Sequence, residues 1–355
     1  MRLFTVRALL PVLLLGWLLG CKESSDSQSG PSVTPLPETT TFKNPLLASG
    51  PDPWVIEKDG FYYYMATTGG NLTLRKTAKM SELGSAVSTV IWTPSASGVN
   101  SRDIWAPELH FLDGKWYVYF TAGPGQCCAG QRLWVLENSA TDPTTGTWVE
   151  KGQIAVPGQD LWAIDATILE QNGGRYLVWS GHANASTEEQ RLYITRLSNP
   201  WTITGPRAEL SRPQYSWEKI GPVPVNEGPQ ILQRNGKTFL VYSASHCTTD
   251  SYALGMLTAS STADPMDPAV WTKTAMPVFT SRAAGGAFGP GHNSFFKSKN
   301  GQQDWILYHA NPEPGKGCEN TRNPRMQPFT WNSDGTPNFG TPAAIGVELP
   351  EPGGE

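Results

Sequence analysis

The feature that most constrains this chain is a pattern that recurs five times. A polar or small residue leads a short apolar run, a Gly-containing turn follows, and a second run is rich in aromatic and β-branched residues. The copies start at Asp52, Ala106, Asp165, Glu227 and His292, and their second runs cover 61–65, 115–120, 175–179, 238–242 and 305–308. Asp-Gly or Asn-Gly marks the turns, and these residues tolerate the positive φ that a tight hairpin needs. Each copy is therefore expected to be a β-hairpin. The turn glycines Gly60, Gly114, Gly173, Gly236 and Gly301 lie 54 to 65 residues apart, which leaves room for two further strands per copy. Candidate outer strands cover 133–137 with 147–149, and 191–197. The expected fold is all-β: a five-bladed β-propeller of four-stranded antiparallel blades around a central axis. A β-sandwich of similar strand count is the alternative, but it asks for no such regular period.

Composition agrees. Charged residues make up only 16% of the chain while it carries 36 Gly, 30 Pro and 14 Trp, which suits a turn-rich β protein with an aromatic-lined groove for an uncharged ligand. A net charge of -4 with no basic run excludes nucleic acid as a partner, because phosphate neutralisation needs clustered Lys and Arg. The first residues read as a targeting segment rather than fold. Arg2 and Arg7 precede an apolar run at 8–19, too short to span a bilayer comfortably, and it ends in Leu18-Leu19-Gly20-Cys21. That ending resembles a bacterial lipobox, with Cys21 as the lipid-attachment site. The domain expectation is a signal peptide at 1–20, a Ser/Thr/Pro-rich tether at 21–42 and a catalytic propeller at 43–350. The protein is expected to be exported, then lipid-anchored at the cell surface or outer membrane, or secreted. Its membrane contact is expected to run only through the lipid, and it is expected to be a monomer. Cys127, Cys128, Cys247 and Cys318 allow three pairings, and the sequence leaves all three open.

In a propeller the first strand of each blade lines the axis, so residues heading the five hairpins face one another. Here they are Asp52, Ala106, Asp165, Glu227 and His292. In the first three copies the heading residue stands eight before the turn glycine, and in the last two it stands nine before, so the equivalence of Glu227 and His292 is approximate. One acid at such a place can cap a turn on its own blade; three gathered at one end of an axis are costly without a chemical purpose. Glycosidic hydrolysis needs such a set: a carboxylic acid to protonate the leaving oxygen and a carboxylate to activate water on the opposite face. Glu227, the longest carboxylate and followed by Gly228-Pro229, suits the general acid. Asp52 suits the general base, and Asp165 suits pKa tuning and orientation. Inversion requires the base and acid to stand roughly 6.5–9.5 Å apart.

These residues resemble glycoside hydrolase family 43 over essentially the whole chain after the tether. The resemblance rests on Asp52-Pro53, Trp105-Ala106-Pro107-Glu108, Ala163-Ile164-Asp165-Ala166, Asn226-Glu227-Gly228-Pro229 and Gly291-His292-Asn293-Ser294, in order and at blade spacing. It implies an inverting hydrolase in which Asp52 is the base, Asp165 the pKa modulator and Glu227 the acid. It also implies that His292 sits beside a water-rich site on the axis, often holding a calcium or similar ion, with no cofactor required for the chemistry. Within the family the chain looks most like bacterial exo-acting α-L-arabinofuranosidases, so the implied substrate is a plant polysaccharide or oligosaccharide carrying terminal arabinofuranose. An endo-α-1,5-arabinanase, a β-xylosidase and a non-catalytic sugar-binding propeller are the alternatives. The loops at 67–71, 121–131, 181–189, 245–252 and 309–325 are expected to edge the pocket. Arg325, Trp105, Trp54, Ala106 and His292 are the candidate substrate-binding residues, the guanidinium for its paired donors and the indoles for sugar stacking. His292 doubles as a candidate metal ligand, while His182, His246 and His309 are read as hydrogen-bonded rim residues.

Overall fold

The computed structural model of the protein describes residues 40–125 and 128–355. The signal segment, Cys21, nearly all of the tether and Cys127 lie outside the described residues. Four of the five hairpins turn on two residues whose φ is positive at both positions: Asp59-Gly60, Asp113-Gly114, Asn172-Gly173 and Asn235-Gly236. That geometry matches the twist of the flanking strands, which is why these dipeptides were legible as turns. The fifth turn is longer. Its strands end at Lys297 and resume at Asp304, with only Gly301 at positive φ and a Ser298 N–H bond to Gln303 O at 3.0 Å closing the loop.

The innermost strands are Trp54–Lys58, Arg102–Leu112, Ala163–Gln171, Asn226–Arg234 and Phe288–Lys297. Each pairs with the next strand in sequence, which pairs with a third and that with a fourth, giving five four-stranded meanders. The expected outer strands are present at shifted bounds: Arg132–Asn138 pairs with Val149–Ile154, and Gln190–Asn199 fills the third place of its blade. The five innermost strands touch one another in cyclic order, the first against the fifth, so the meanders close into a five-bladed propeller.

Blade faces pack on neighbouring blades on both sides, which explains why the second strands read as continuous apolar runs rather than alternating ones. In Lys115–Gly123 every residue after the lysine is buried. Each blade interface carries its own apolar cluster. Trp116 and Val118 sit between blades 1 and 2, Leu177 and Tyr119 between 2 and 3, Leu240 and Leu192 between 3 and 4, Ile306 and Val241 between 4 and 5, and Trp305 with Tyr62 and Val55 between 5 and 1. Burial of this kind is worth about 25 cal/mol per Å² of apolar surface, so the ring is held by side-chain packing, while hydrogen bonds hold each blade.

Among the described residues no blade borrows a strand from the other end of the chain. Instead Thr41–Lys43 pairs antiparallel with Glu348–Pro350 outside the blades. Strand therefore begins at Thr41. Further ties cross the same seam: Leu46 N–H to Pro324 O at 2.9 Å, Gly50 N–H to Arg322 O at 3.0 Å, and Asn44 bonded both ways to the Met326 backbone.

Candidate active site

One backbone device builds the site five times. Asp52, Ala106, Asp165, Gly228 and His292 all have positive φ, between 43° and 58°. In blades 2 to 5 this residue sits in a β-bulge of the innermost strand, where the ladder register shifts. Bulges re-aim side chains, and here they turn them toward the axis. A non-glycine residue in this conformation is held there by its surroundings. The N–H of that residue is caught by a side chain on or just after the second strand of the preceding blade: His309 Nδ1 for Asp52 (3.0 Å), Thr67 Oγ1 for Ala106 (2.8 Å), Thr121 Oγ1 for Asp165 (3.2 Å) and Ser243 Oγ for His292 (2.8 Å). Blade 4 departs from this. Its N–H, from Gly228, goes to the carboxylate of Asp165 at 3.0 Å, while Ser180 in the corresponding place donates to Asn226 O.

The sequence alignment of the blade heads is thereby corrected. Asp52, Ala106, Asp165 and His292 are equivalent, and the fourth equivalent is Gly228, with Glu227 one residue earlier. The extra residue before Gly301 belongs to the longer fifth turn, so His292 is in register after all. Glycine suits position 228 in two ways: its φ of +54° is unstrained for glycine, and a Cβ there would stand 3.2 Å from the His292 ring, a tight approach.

Asp52 and Asp165 are buried, Glu227 is half-buried, and their charges act on one another. The surroundings differ sharply. Asp52 Oδ1 accepts from Arg322 Nη1 at 2.9 Å and Oδ2 accepts from the Thr67 hydroxyl at 2.6 Å. The rings of His292 and His309 lie against it, with Nδ1 atoms 3.3 Å and 3.4 Å from Oδ1. Burial pushes the Asp52 carboxyl up, but the Arg322 guanidinium, with the hydrogen bond from the Thr67 hydroxyl, holds it well below the usual carboxylate range. Glu227 has no cation bonded to it. Its Oε1 accepts from the Tyr252 hydroxyl at 2.8 Å, and burial, with the charge of Asp52, pushes it up to about 7 against the pull of Tyr252 and Arg322. Asp165 is also raised well above its ordinary value, by burial and then by Glu227 and Asp52, against the Gly228 N–H. His292 and His309 are both held neutral by burial, and His309, whose Nδ1 accepts the Asp52 N–H, carries its proton on Nε2. The site thus favours an ionised carboxylate on one side and retention of a proton on the other, which is the requirement for paired acid and base chemistry.

The glycosyl hydrolases family 43 model matches residues 42–337 of the chain. The chain belongs to glycosyl hydrolase family 43. It is 44% identical over 356 residues to an extracellular exo-alpha-(1->5)-L-arabinofuranosidase of Streptomyces avermitilis, covering 98% of this chain and 72% of that protein. It is 42% identical over 277 residues to an enzyme of the same name from Streptomyces chartreusis, covering 77% of this chain and 84% of that one. The crystal structure of an alpha-L-arabinofuranosidase from Lactobacillus brevis superposes with a TM-score of 0.81 at 38% identity, covering 86% of this chain and 98% of the other.

The remaining expected residues of this family 43 hydrolase fall into two groups. Ala106 and His292 stand at the site, and Trp105 beside Ala106 is half-buried, its indole in no ring pair or core cluster among the described residues. Trp54 is instead a packing residue: its indole N–H donates to Leu109 O at 2.9 Å and its ring lies 4.7 Å from His110, joining blades 1 and 2. Arg325 is fully buried beneath the rim, its Nε bonded to Asn323 Oδ1 at 2.8 Å. The guanidinium at the carboxylate is Arg322, in the rim loop just before the strand Asn323–Trp331 that carries Arg325. Sequence reasoning marked that loop and the one at 245–252 as rim, yet missed Arg322 and Tyr252, because no motif separates them from other loop residues. Glu108, in the second layer down the axis, was seen only as part of a motif; it is buried and bonded to Gln230 across the axis and to His110 at 2.9 Å.

The residues near His292 offer few oxygen donors for a calcium ion. Asp52 is already engaged by Arg322 and Thr67, which leaves the imidazole and the Asn293 amide, whose Oδ1 is buried with no partner among the described residues. Calcium takes roughly six to eight oxygen ligands, so this donor set does not fit a protein-made calcium site. Among the described residues the one cluster of potential ligands is His246 with Cys247 and Cys318, and those sulfurs are bonded to each other.

Proposed function

We propose that this chain is an inverting, exo-acting α-L-arabinofuranosidase that releases terminal arabinofuranose from α-1,5-linked arabinan or arabinose-bearing cell-wall oligosaccharides. The observation that carries the mechanism is the opposite surroundings of two acids in one site: Asp52 is bonded to Arg322 and Thr67, which favour its ionised form, while Glu227 takes the Tyr252 hydroxyl and is pushed up to about 7. Glu227 protonates the leaving glycosidic oxygen while Asp52 takes a proton from the water that attacks the anomeric carbon from the other face. Asp165, bonded to the Gly228 N–H next to Glu227, orients the acid, and whenever Asp165 is ionised its charge favours the protonated form of Glu227. The Trp105 indole offers a stacking face, and the small Ala106 leaves room for the sugar ring. The names of the two Streptomyces relatives support the substrate and the exo mode.

Digestion of linear arabinan tests this reading. Arabinose as the first product supports it, and longer oligosaccharides as first products overturn the exo assignment. Proton NMR of the first-formed anomer tests inversion separately. Export with a lipid on Cys21 is part of the same proposal, supported by the Leu18-Leu19-Gly20-Cys21 sequence. Labelled palmitate should enter the wild type and not Cys21→Ala.

A further inference from the structure

The two sides of the site are fastened by different loops. Tyr252, which holds Glu227, is buried in the rim of blade 4 and stacked on His309 with ring centroids 5.8 Å apart. Arg322, which holds Asp52, comes from a blade 5 loop whose residues 313–316 and 319–321 are exposed. That loop has little apolar packing to order it. It is gathered by polar contacts: Asn311 Nδ2 to Gly317 O at 2.9 Å, Thr321 Oγ1 to Asn311 Oδ1 at 2.8 Å, and Gly315 N–H to the Asp250 carboxylate at 2.9 Å. Gly317 approaches the Thr248 backbone so closely that a Cβ there would stand 3.3 Å from its Cα.

One covalent tie joins the two loops. Cys247 and Cys318 form a disulfide across 71 residues of sequence. Cys318 also receives the Arg322 guanidinium directly, through Nη2 to its carbonyl oxygen at 3.0 Å, while Nη1 of the same side chain reaches Asp52 at 2.9 Å. The path is therefore short and continuous: buried blade 4 rim, Cys247, Cys318, its carbonyl, the guanidinium, the base. We propose that the Cys247–Cys318 bridge is a positioning device for the general base, fastening the Arg322 loop to the rigid blade 4 rim so that the guanidinium stays on Asp52. It follows that full activity requires the oxidised protein, in keeping with maturation in an oxidising compartment.

This inference rests on Asp52 being the base. A double-mutant cycle on kcat tests it, with the full chain, an aryl arabinofuranoside and arabinan as substrates. Cys247→Ser/Cys318→Ser should lower kcat on both substrates by on the order of ten- to a hundredfold, as expected when a group near the chemistry is misplaced by about an ångström. Arg322→Ala should lower kcat as well, and removing the bridge in the Arg322→Ala background should cost almost nothing more. Losses that multiply, or an unchanged kcat with only a lower melting temperature, overturn the proposal. If the bridge-free chain does not fold, folded wild type and Arg322→Ala treated with a reductant give the same comparison. Cys128 is also disulfide-bonded, so an equal response of both proteins to reductant counts against the Cys247–Cys318 path. Failure of the underlying reading is distinguishable, because then Asp52→Asn itself retains turnover.

Discussion

The Asp52 side and the Glu227 side of this pocket start from the same chemistry and end in opposite states. Both carry a carboxyl sheltered at the end of the propeller axis, and burial pushes both up. On the Asp52 side a guanidinium from blade 5 and a hydroxyl from blade 1 more than offset that push. On the Glu227 side the direct partner is one phenol, and a second acid sits beside it. Burial therefore does not assign roles to carboxyl groups; the neighbours supplied by adjacent blades do.

The comparison is broken most severely by neutralising either acid. Asp52→Asn and Glu227→Gln should each lose on the order of 10² to 10⁴ in kcat on arabinan. Glu227→Gln should lose much less on an aryl arabinofuranoside with a good leaving group, which needs little protonation, whereas Asp52→Asn should lose on both. Steady-state kinetics on the two substrates check this, and an equal loss for Glu227→Gln on both would remove its role as the acid.

Stability should separate the same two variants in sign. The Asp52 carboxyl is depressed in the folded state, so it contributes stability present above its ordinary pKa and lost as pH falls toward the folded value. Glu227 is raised, so the unfolded chain gives up a proton that the folded chain keeps, and stability falls as pH rises from about 4 to about 7. At pH 7 Asp52→Asn strands the Arg322 charge and should destabilise by about 3–5 kcal/mol. Glu227→Gln should instead raise the melting temperature by a few degrees. Calorimetry at pH 5 and pH 7 decides it.

Arg322→Met removes the main cation on the base. The acidic limb of the kcat/KM pH profile should move up toward ordinary carboxylate values while the alkaline limb, set by Glu227 near 7, stays within about one unit. Tyr252→Phe gives the smallest effect. Removing a hydrogen bond from the Glu227 carboxylate should move the alkaline limb upward by less than about one pH unit, with the acidic limb unchanged.

Much of the architecture was written locally. Asp59-Gly60, Asp113-Gly114, Asn172-Gly173 and Asn235-Gly236 each dictate a turn by their own φ preferences, so hairpins, blade count and the neighbourhood of the acids could be read in order. The Asn300-Gly301 dipeptide shows the limit: it looks the same in sequence, yet Gln302 and Gln303 extend it into a wider loop, and the count back to His292 shifts accordingly. Trp54 and Arg325 were plausible as sugar contacts by residue type and position; the Trp54 indole N–H is drawn to Leu109 between blades, while the Arg325 guanidinium is buried with Nε on Asn323 and its two Nη atoms without a partner among the described residues.

By itself the sequence determined the repeat, the turns, the three acids and the loops that rim them, because each depends on residues within a hairpin's length. Only the tertiary structure decided that Gly228 and not Glu227 is the fourth blade's equivalent position, that Arg322 and Tyr252 are the partners of Asp52 and Glu227, and that Cys247 pairs with Cys318. Those facts depend on which blades are neighbours across the closed ring. A carboxyl's protonation follows from charges within a few ångströms in space, and Arg322 reaches Asp52 from 270 residues away in the chain.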